Sequence, residues 1–366
     1  MRKLIFGIIV LTGLMLAADS VHAQGNTAVP FLLISPNSRA SGMGESGTGL
    51  ADDASAIFWN PAGLAWQKGN EVSISHANWL PQFHLSDLFY EYLNFKTSIE
   101  DFGTVGASVT YLNLGTFIQT AETGPEEIGR FKAFEVAATA GVGLKISEDW
   151  GLGVNLRFIN SRLSPIGAAN EKGDGIAYNV SGDIAAMYKP KHMVLPFTDI
   201  DAGEHFSMGL NLSNLGPKVV YIDAAQADPL PTQLRLGFAF VPYKDEYNRF
   251  TIVADFAKLM VYKDTSGSDP LPKALVTTFT KPSFNNVMKS INKSIGMEYS
   301  YNDWVALRLG YYFEDPNFGN RNFLTFGAGI RYDIYGFDFS YISAKDENSP
   351  LSDTLRFTLL VLWGDK

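Results

Sequence analysis

Several stretches of the chain alternate apolar and polar residues without a slip. In Trp150–Phe158 the apolar set is Trp150, Leu152, Val154, Leu156 and Phe158, set against Gly151, Gly153, Asn155 and Arg157. Gln233–Phe240, Val305–Phe313 and Leu324–Ile334 repeat the pattern. A period of two gives an extended strand one apolar face and one face of Gly, Ser, Asn and charge. A soluble sandwich would turn the apolar face inward. Run length argues for the reverse, since ~9–11 residues is the length of a tilted membrane strand, against ~5–6 in soluble sheets. Trp79, Trp150, Trp304 and Trp363 stand at strand ends, where an interfacial girdle would put them. The expected fold is all-β: a transmembrane antiparallel β-barrel with its apolar face toward lipid.

The pattern predicts about fourteen strands, at 71–79, 88–98, 103–114, 132–145, 150–160, 175–188, 205–212, 233–241, 249–259, 294–301, 304–313, 322–333, 336–343 and 354–363. Bacterial barrels prefer an even number. Connections after even strands are mostly short, such as Asn302-Asp303, and those after odd strands long, such as Gly115–Phe131, Ser213–Thr232 and Met260–Lys293. Outer-membrane barrels have short periplasmic turns and long outer loops, so both termini are expected on the periplasmic side. Lys189–Glu204 is the exception, being long where a short turn is expected.

Ser35–Ala65 does not read as strand and turn. It holds five glycines, two prolines and an Asn60-Pro61-Ala62-Gly63 turn flanked by Trp59 and Trp66. So many small residues cannot build a core of their own, so the segment is expected to plug the periplasmic mouth of the barrel. The expected hatch residues are Arg39, Met43, Gly44, Asp52, Asp53, Asn60, Pro61 and Ala62. By parity the lumen-facing charges include Arg157, Asp183, Arg235, Asp255, Glu298, Arg308, Arg331 and Asp333, with Asp338 and Arg356. They carry both signs and read as ion pairs that fill the barrel and seat the plug.

Residues 1–23 read as an export signal: Arg2 and Lys3, the apolar run Leu4–Ala18, then Val21-His22-Ala23 before a cleavage point. The organisation expected is a signal over 1–23, an N-terminal segment and hatch over 24–70, and a barrel over 71–366. The chain has no cysteine, which removes disulfides and thiolate metal sites. The net charge of −9 argues against nucleic acid as a partner. His76, His84, His192 and His205 show no ligand spacing, and no G-x-S-x-G nucleophile elbow occurs. No metal, cofactor or catalytic residue is therefore expected. Gly42–Gly47 matches G-x-G-x-x-G, but no βαβ unit surrounds it, so it reads as plug backbone. Among the loops, Met260–Lys293 is the longest, with Pro270, Leu271, Pro272, Leu275, Phe279 and Phe284 as candidate partner contacts. The alternative is a lid over the barrel mouth.

The Asn60-Pro61-Ala62 turn resembles the hatch of FadL-like outer-membrane proteins. The blocks Ala28–Gly44, Asn211–Asp223, Pro229–Gly237, Gly310–Tyr341 and Ser349–Leu359 resemble, in the same order, the PorV/PorQ family of the type IX secretion system. That resemblance implies a fourteen-stranded FadL-like barrel with no chemistry of its own. It also implies partners: an SprA-type translocon, cargo recognised by its C-terminal signal domain, a PorU-type sortase, and outer-membrane lipid or lipopolysaccharide. Two rival functions are a FadL-like channel for hydrophobic small molecules, which would need a greasy lumen, and a lipopolysaccharide deacylase, which would need a converging Ser–His or Asp–His pair. N-terminal sequencing of the exported protein should begin at Gln24; retention of Met1 in the folded barrel would refute the export signal.

Overall fold

The computed structural model describes residues 27–85, 87–120, 124–164, 174–194, 201–265, 267–346 and 349–364; the expected export signal lies outside them. Fourteen antiparallel strands close into one barrel. They are β1 (Asn70–Asn78), β2 (Phe89–Ile99), β3 (Gly103–Thr120), β4 (Glu127–Lys145), β5 (Trp150–Arg162), β6 (Ile176–Tyr188) and β7 (Phe206–Leu215). The rest are β8 (Gln233–Lys244), β9 (Asn248–Leu259), β10 (Ile291–Tyr301), β11 (Val305–Phe313), β12 (Asn322–Tyr332), β13 (Tyr335–Ala344) and β14 (Leu355–Trp363). Closure joins β1 to β14, with Asn70 opposite Trp363 and His76 opposite Phe357.

The packing is inside-out. Ile74, Leu152, Leu156, Val180, Ile184, Leu307, Phe326 and Leu359 are exposed, whereas Arg157, Asp183, Asp255, Glu298, Arg308 and Arg356 are buried. A soluble sandwich would invert both sets. In hydrocarbon every backbone group must be paired internally, and a closed ladder does this with no edge. Aromatic side chains collect at the end that carries the short turns: Trp150 against Tyr188 at 4.8 Å, Tyr247 against Tyr301, and exposed Trp304, Tyr332 and Trp363. A second belt near the other end pairs Phe89 with Tyr111 and Phe158 with Tyr178. Trp79 departs from the expected girdle. It is partly buried against the lumen cluster around Tyr90.

Two long connections carry more structure than the sequence suggested. β3 and β4 continue past the wall as a two-stranded ribbon, with a register shift between Asn113 and Gly115. Met260–Lys293 holds two helices, α1 (Leu271–Thr280) and α2 (Phe284–Lys289). Pro272 stands in the first turn of α1, and the Ser283 hydroxyl accepts a hydrogen bond from Asn286 N at the start of α2, both ordinary helix-start devices.

The first described residues and the last strand do not share one end of the barrel. Ala28 N donates to Pro229 O in the β7–β8 loop, so the described chain starts at the loop end. It then threads the lumen to reach β1 at the turn end, beside the end of β14. The expectation of a plug confined to one mouth is corrected accordingly. The cause is the apolar cluster of Val29, Phe31 and Leu32 with Tyr90, Leu112, Ile159 and Leu230, which holds the first segment at the loop end.

The described parts of the anomalous Lys189–Glu204 connection form a clip. Ala202 N donates to Met193 O at 2.8 Å and Glu204 N to Pro190 O at 2.7 Å. Lys191 N reaches Asp149 Oδ1 at 2.9 Å, and Lys191 Nζ reaches Glu148 at 2.7 Å, so the clip docks on the β4–β5 turn. Asp201 accepts from Met193 N and Gly203 N and faces His192 Nδ1 at 3.0 Å. The bond to His192, then those backbone amides, hold the Asp201 carboxyl down at about 2. The same contact raises His192 above its ordinary 6.5. A depressed carboxylate stabilises above its unfolded pKa and loses that as pH falls through its folded value. A raised imidazole stabilises below its unfolded pKa and loses that as pH rises through its folded value. The clip should therefore be tightest between roughly pH 4 and 6.5. Protection factors at Met193 and Gly203, taken against the intrinsic exchange rate at each pH, should fall both above and below that window; protection independent of pH would remove the His192–Asp201 contact from the account.

Candidate functional site: the plugged lumen

The plug consists of short helical turns, Pro30–Leu33, Ser38–Ser41, Ala56–Trp59 and Pro61–Trp66, too short to be stable alone. The wall supplies their partners. Inward glycines on β4, β5, β7, β10 and β11 let plug backbone lie directly on the sheet. A methyl at Gly143 would stand 2.7 Å from Pro61 O, and one at Gly151 would stand 2.6 Å from the Trp66 ring. Methyls at Gly153, Gly209, Gly296 and Gly310 would clash with backbone of Ala62, Thr48, Met43 and Gly44. Gly44 itself takes φ +70, and its N–H donates to Thr325 at 2.8 Å.

Asn60 is the hub of the second half of the plug. Its Oδ1 accepts from Ala62 N at 3.0 Å, while Nδ2 donates to Thr48 O at 3.1 Å and to Ala186 O of β6 at 3.2 Å. Pro61 at the start of the next turn has no N–H to leave unsatisfied. Wall side chains complete the seat. Asn155 and Asn211 donate to Ile57 O and Trp59 O, Ser207 donates to Gly49 O, and Asp255 accepts from Gly47 N and Thr48 N. The Arg235 guanidinium stacks over the Trp59 ring at 4.8 Å.

The lumen charges form one long chain at the turn end. Arg39 of the plug meets Asp52 at 2.6 Å, Asp53 at 3.2 Å and Glu298 of β10 at 2.9 Å. Glu298 also pairs with Arg308 at 2.6 Å, Arg308 with Asp338 at 2.7 Å, and Asp338 with Arg331 at 2.6 Å. Gly327 and Gly329 on the intervening β12 lie under the Arg308 side chain and leave it room to cross to β13. A cavity of about 320 Å³ opens beneath this chain toward the turns. Elsewhere Arg157 pairs with Asp183 at 2.8 Å, and Arg235 lies 3.9 Å from Asp255. Arg356 is buried, with Ser41 as its plug partner. Burial raises the Glu45 carboxyl, against the pull of Arg321 and Arg356.

Asp333 differs from its expected place on a lumen-facing strand. It lies in the β12–β13 turn at φ +54, exposed at the cavity rim. Asn155, Asn211 and Ser207 were missed by a search limited to charges, and Glu45 and the Glu314–Arg321–Tyr312 cluster by one limited to strand positions. Inward parity would have found Asn155, Asn211 and Ser207. His76 meets Glu91, His192 meets Asp201, and His205 meets Val241 O. Among the described residues no metal-binding group of three such side chains forms.

The loop end is different in character. A cavity of about 360 Å³ lies between the β7–β8 loop and α1, lined by Pro217, Leu230, Met260, Pro270, Leu271 and Pro272, with Lys218 and Asp269. Leu275 is half-buried, and Phe279 and Phe284 are exposed.

The family model described as "Type IX secretion system protein PorV" matches residues 18–266. No curated protein matches the chain. Among solved structures, the Pseudomonas putida toluene transporter TodX is 13% identical over 90% of this chain and 99% of its own, with a TM-score of 0.51. A Pseudomonas aeruginosa FadL homologue is 12% identical over 90% and 98%, with a TM-score of 0.48. At these identities the likeness concerns the fold alone.

Removing one partner from a buried ion pair costs about 3–5 kcal/mol, because the other charge is left stranded. Arg39→Ala takes the cation from Asp52 and Asp53 and leaves Glu298 with Arg308 alone, and should loosen the plug without opening the wall. Protease should then cut within residues 40–60 much faster than in the parent while the barrel keeps its heat-modifiable gel mobility. Arg39→Ala combined with Glu298→Gln should recover part of the loss.

Proposed function

The chain belongs to the PorV family of type IX secretion system proteins, and from that premise we propose that it is a non-catalytic docking barrel of the outer membrane. In this reading it binds an SprA-type translocon, receives cargo by its C-terminal signal domain and hands it to a PorU-type sortase. One observation carries the proposal: the lumen is filled from the loop end to the turn end by plug backbone seated on wall glycines. A barrel filled in this way works by its surfaces. The filled, mainly polar lumen also speaks against a channel for hydrophobic molecules.

We divide the chain into an export signal (1–23), an N-terminal segment and hatch (24–70) and the barrel (71–366), with the short turns periplasmic and the loops outside. The docking face in this reading is the loop end. The β3–β4 ribbon exposes Phe117, Ile118 and Ile128 beyond the wall, with Phe117 stacked on Phe131 at 5.6 Å. Pro270, Leu271 and Pro272 border the apolar cavity at the same end of the barrel. Exposed apolar groups of this kind mark contact sites.

Two variants test this: one replaces Phe117–Phe131 with a short turn, the other carries P270S, L271D and P272S. Both should assemble as barrels. Losing one anchor of ~1.4 kcal/mol or more should reduce translocon or cargo co-purification about tenfold. Parental recovery of partners by both variants would overturn the docking face.

A further inference from the structure

The helical pair α1–α2 exposes a ridge that the docking face does not use. Val276 is 59% exposed, Phe279 41%, Phe284 80% and Met288 42%. Positions 276, 279 and 280 fall on one side of α1, and 284 and 288 on one side of α2, at the three- and four-residue spacing of a helix face. The opposite side of the pair, Ala274, Thr277, Thr278 and Val287, is buried.

The ridge sits on the outer surface of the wall. Parity puts Lys258 on the outward face of β9, two residues above Phe256, which is 40% exposed toward lipid. Lys258 is nonetheless buried, because the helical pair covers it. Its Nζ stands over the Phe279 ring at 5.4 Å and donates to Ser290 Oγ at 2.5 Å. Thr278 Oγ1 also reaches Leu259 O at 3.4 Å. On the next strand, outward Lys293 lies over Phe313 at 5.6 Å, two residues above Ile295, which is 53% exposed. The exposed ridge is thus continuous with the lipid-facing band.

Lysines border it: Lys281 between the helices, Lys289 in the last turn of α2, and Lys293 at the start of β10. Among the described residues none of the three has an ion-pair partner within 4.0 Å, whereas Lys273 at the far end is paired with Asp269. Apolar side chains directed into the acyl boundary, with lysines reaching the headgroups, are the design of a helix lying in a membrane interface.

We propose that α1–α2 is an interfacial anchor, with Phe279, Phe284 and Met288 entering the leaflet at the loop end. Lys281, Lys289 and Lys293 bind the anionic headgroups of its lipids. The anchor sets the height of the loops above the membrane, and it does not depend on the secretion reading. The absence of cysteine makes the test clean. Single-cysteine variants F284C and M288C carry a spin label, with I295C as the lipid-facing reference and K263C as the aqueous one. The probes are vesicles of phosphatidylcholine alone or with phosphatidylglycerol. Labels at 284 and 288 should be relaxed by oxygen more than by a water-soluble nickel chelate, as at 295, and should sit deeper when phosphatidylglycerol is present. Adding K281Q, K289Q and K293Q should abolish that dependence on anionic lipid. Labels behaving as at 263 would overturn the anchor. Equal depth in both vesicle types would overturn the headgroup assignment. Loss of partner binding with unchanged label depth would bear on the docking face alone.

Discussion

A β-ladder that closes on itself satisfies every backbone group in lipid, but fourteen strands enclose a lumen wider than side chains alone can fill. Everything inside this barrel answers that constraint. Wall glycines accept plug backbone, so the filler is another layer of main chain. Its polar groups then need partners of their own. Asn155, Asn211, Ser207 and Asp255 supply them from the wall, and Asn60 from the plug. The two ends use different means. Near the loops the chain is held by apolar packing around Phe31 and Tyr90. Near the turns it is held by ion pairs radiating from Arg39.

The strands were legible because two unlike environments face each other across one sheet. With lipid outside and polar filling inside, residues such as Leu156 and Arg157 fall on opposite sides with no ambiguity, and the expected spans match the structure closely. The segment that lies on the wall glycines stood out in the sequence as a composition: only a stretch poor in large side chains can lie on glycine. Its route did not. Contacts such as Ser38 with Thr358 join residues far apart in sequence, and nothing local announces them. Trp79 misled because a strand-end tryptophan reads the same whether it faces lipid or the lumen. The β3–β4 ribbon was cut short for a related reason, since alternation that continues into water loses its apolar contrast. The helices in Met260–Lys293 had local signals in Pro272 and Ser283, which a reading by loop length passed over.

A buried ion pair is weak evidence of stability, because desolvation offsets its Coulomb energy. The chain from Asp52 and Asp53 through Arg39, Glu298, Arg308 and Asp338 to Arg331 is better understood as a device for geometry. Its wall members, Glu298, Arg308, Asp338 and Arg331, are each placed by the strand that carries them. Arg308 can reach Asp338 only because β12 carries glycine where it crosses. A shift of one residue in any of these strands would turn its charge toward lipid, where it has no partner.

That condition bears on what the barrel can do. In an open sheet an edge strand can slip alone, but a closed wall has no edge, so a slip must be shared around the ring. The plug touches both halves of the ring: Asn60 bonds to β6, Gly47 and Thr48 to β9, Arg39 to β10 and Ser38 to β14. A change in register anywhere would break contacts to a plug held by the other strands. The wall and its filling therefore fix each other, and adaptation is left to what lies outside the wall: the ribbon, the loops and the helical pair. A molecule arranged this way is suited to hold a binding surface in a constant position above the membrane.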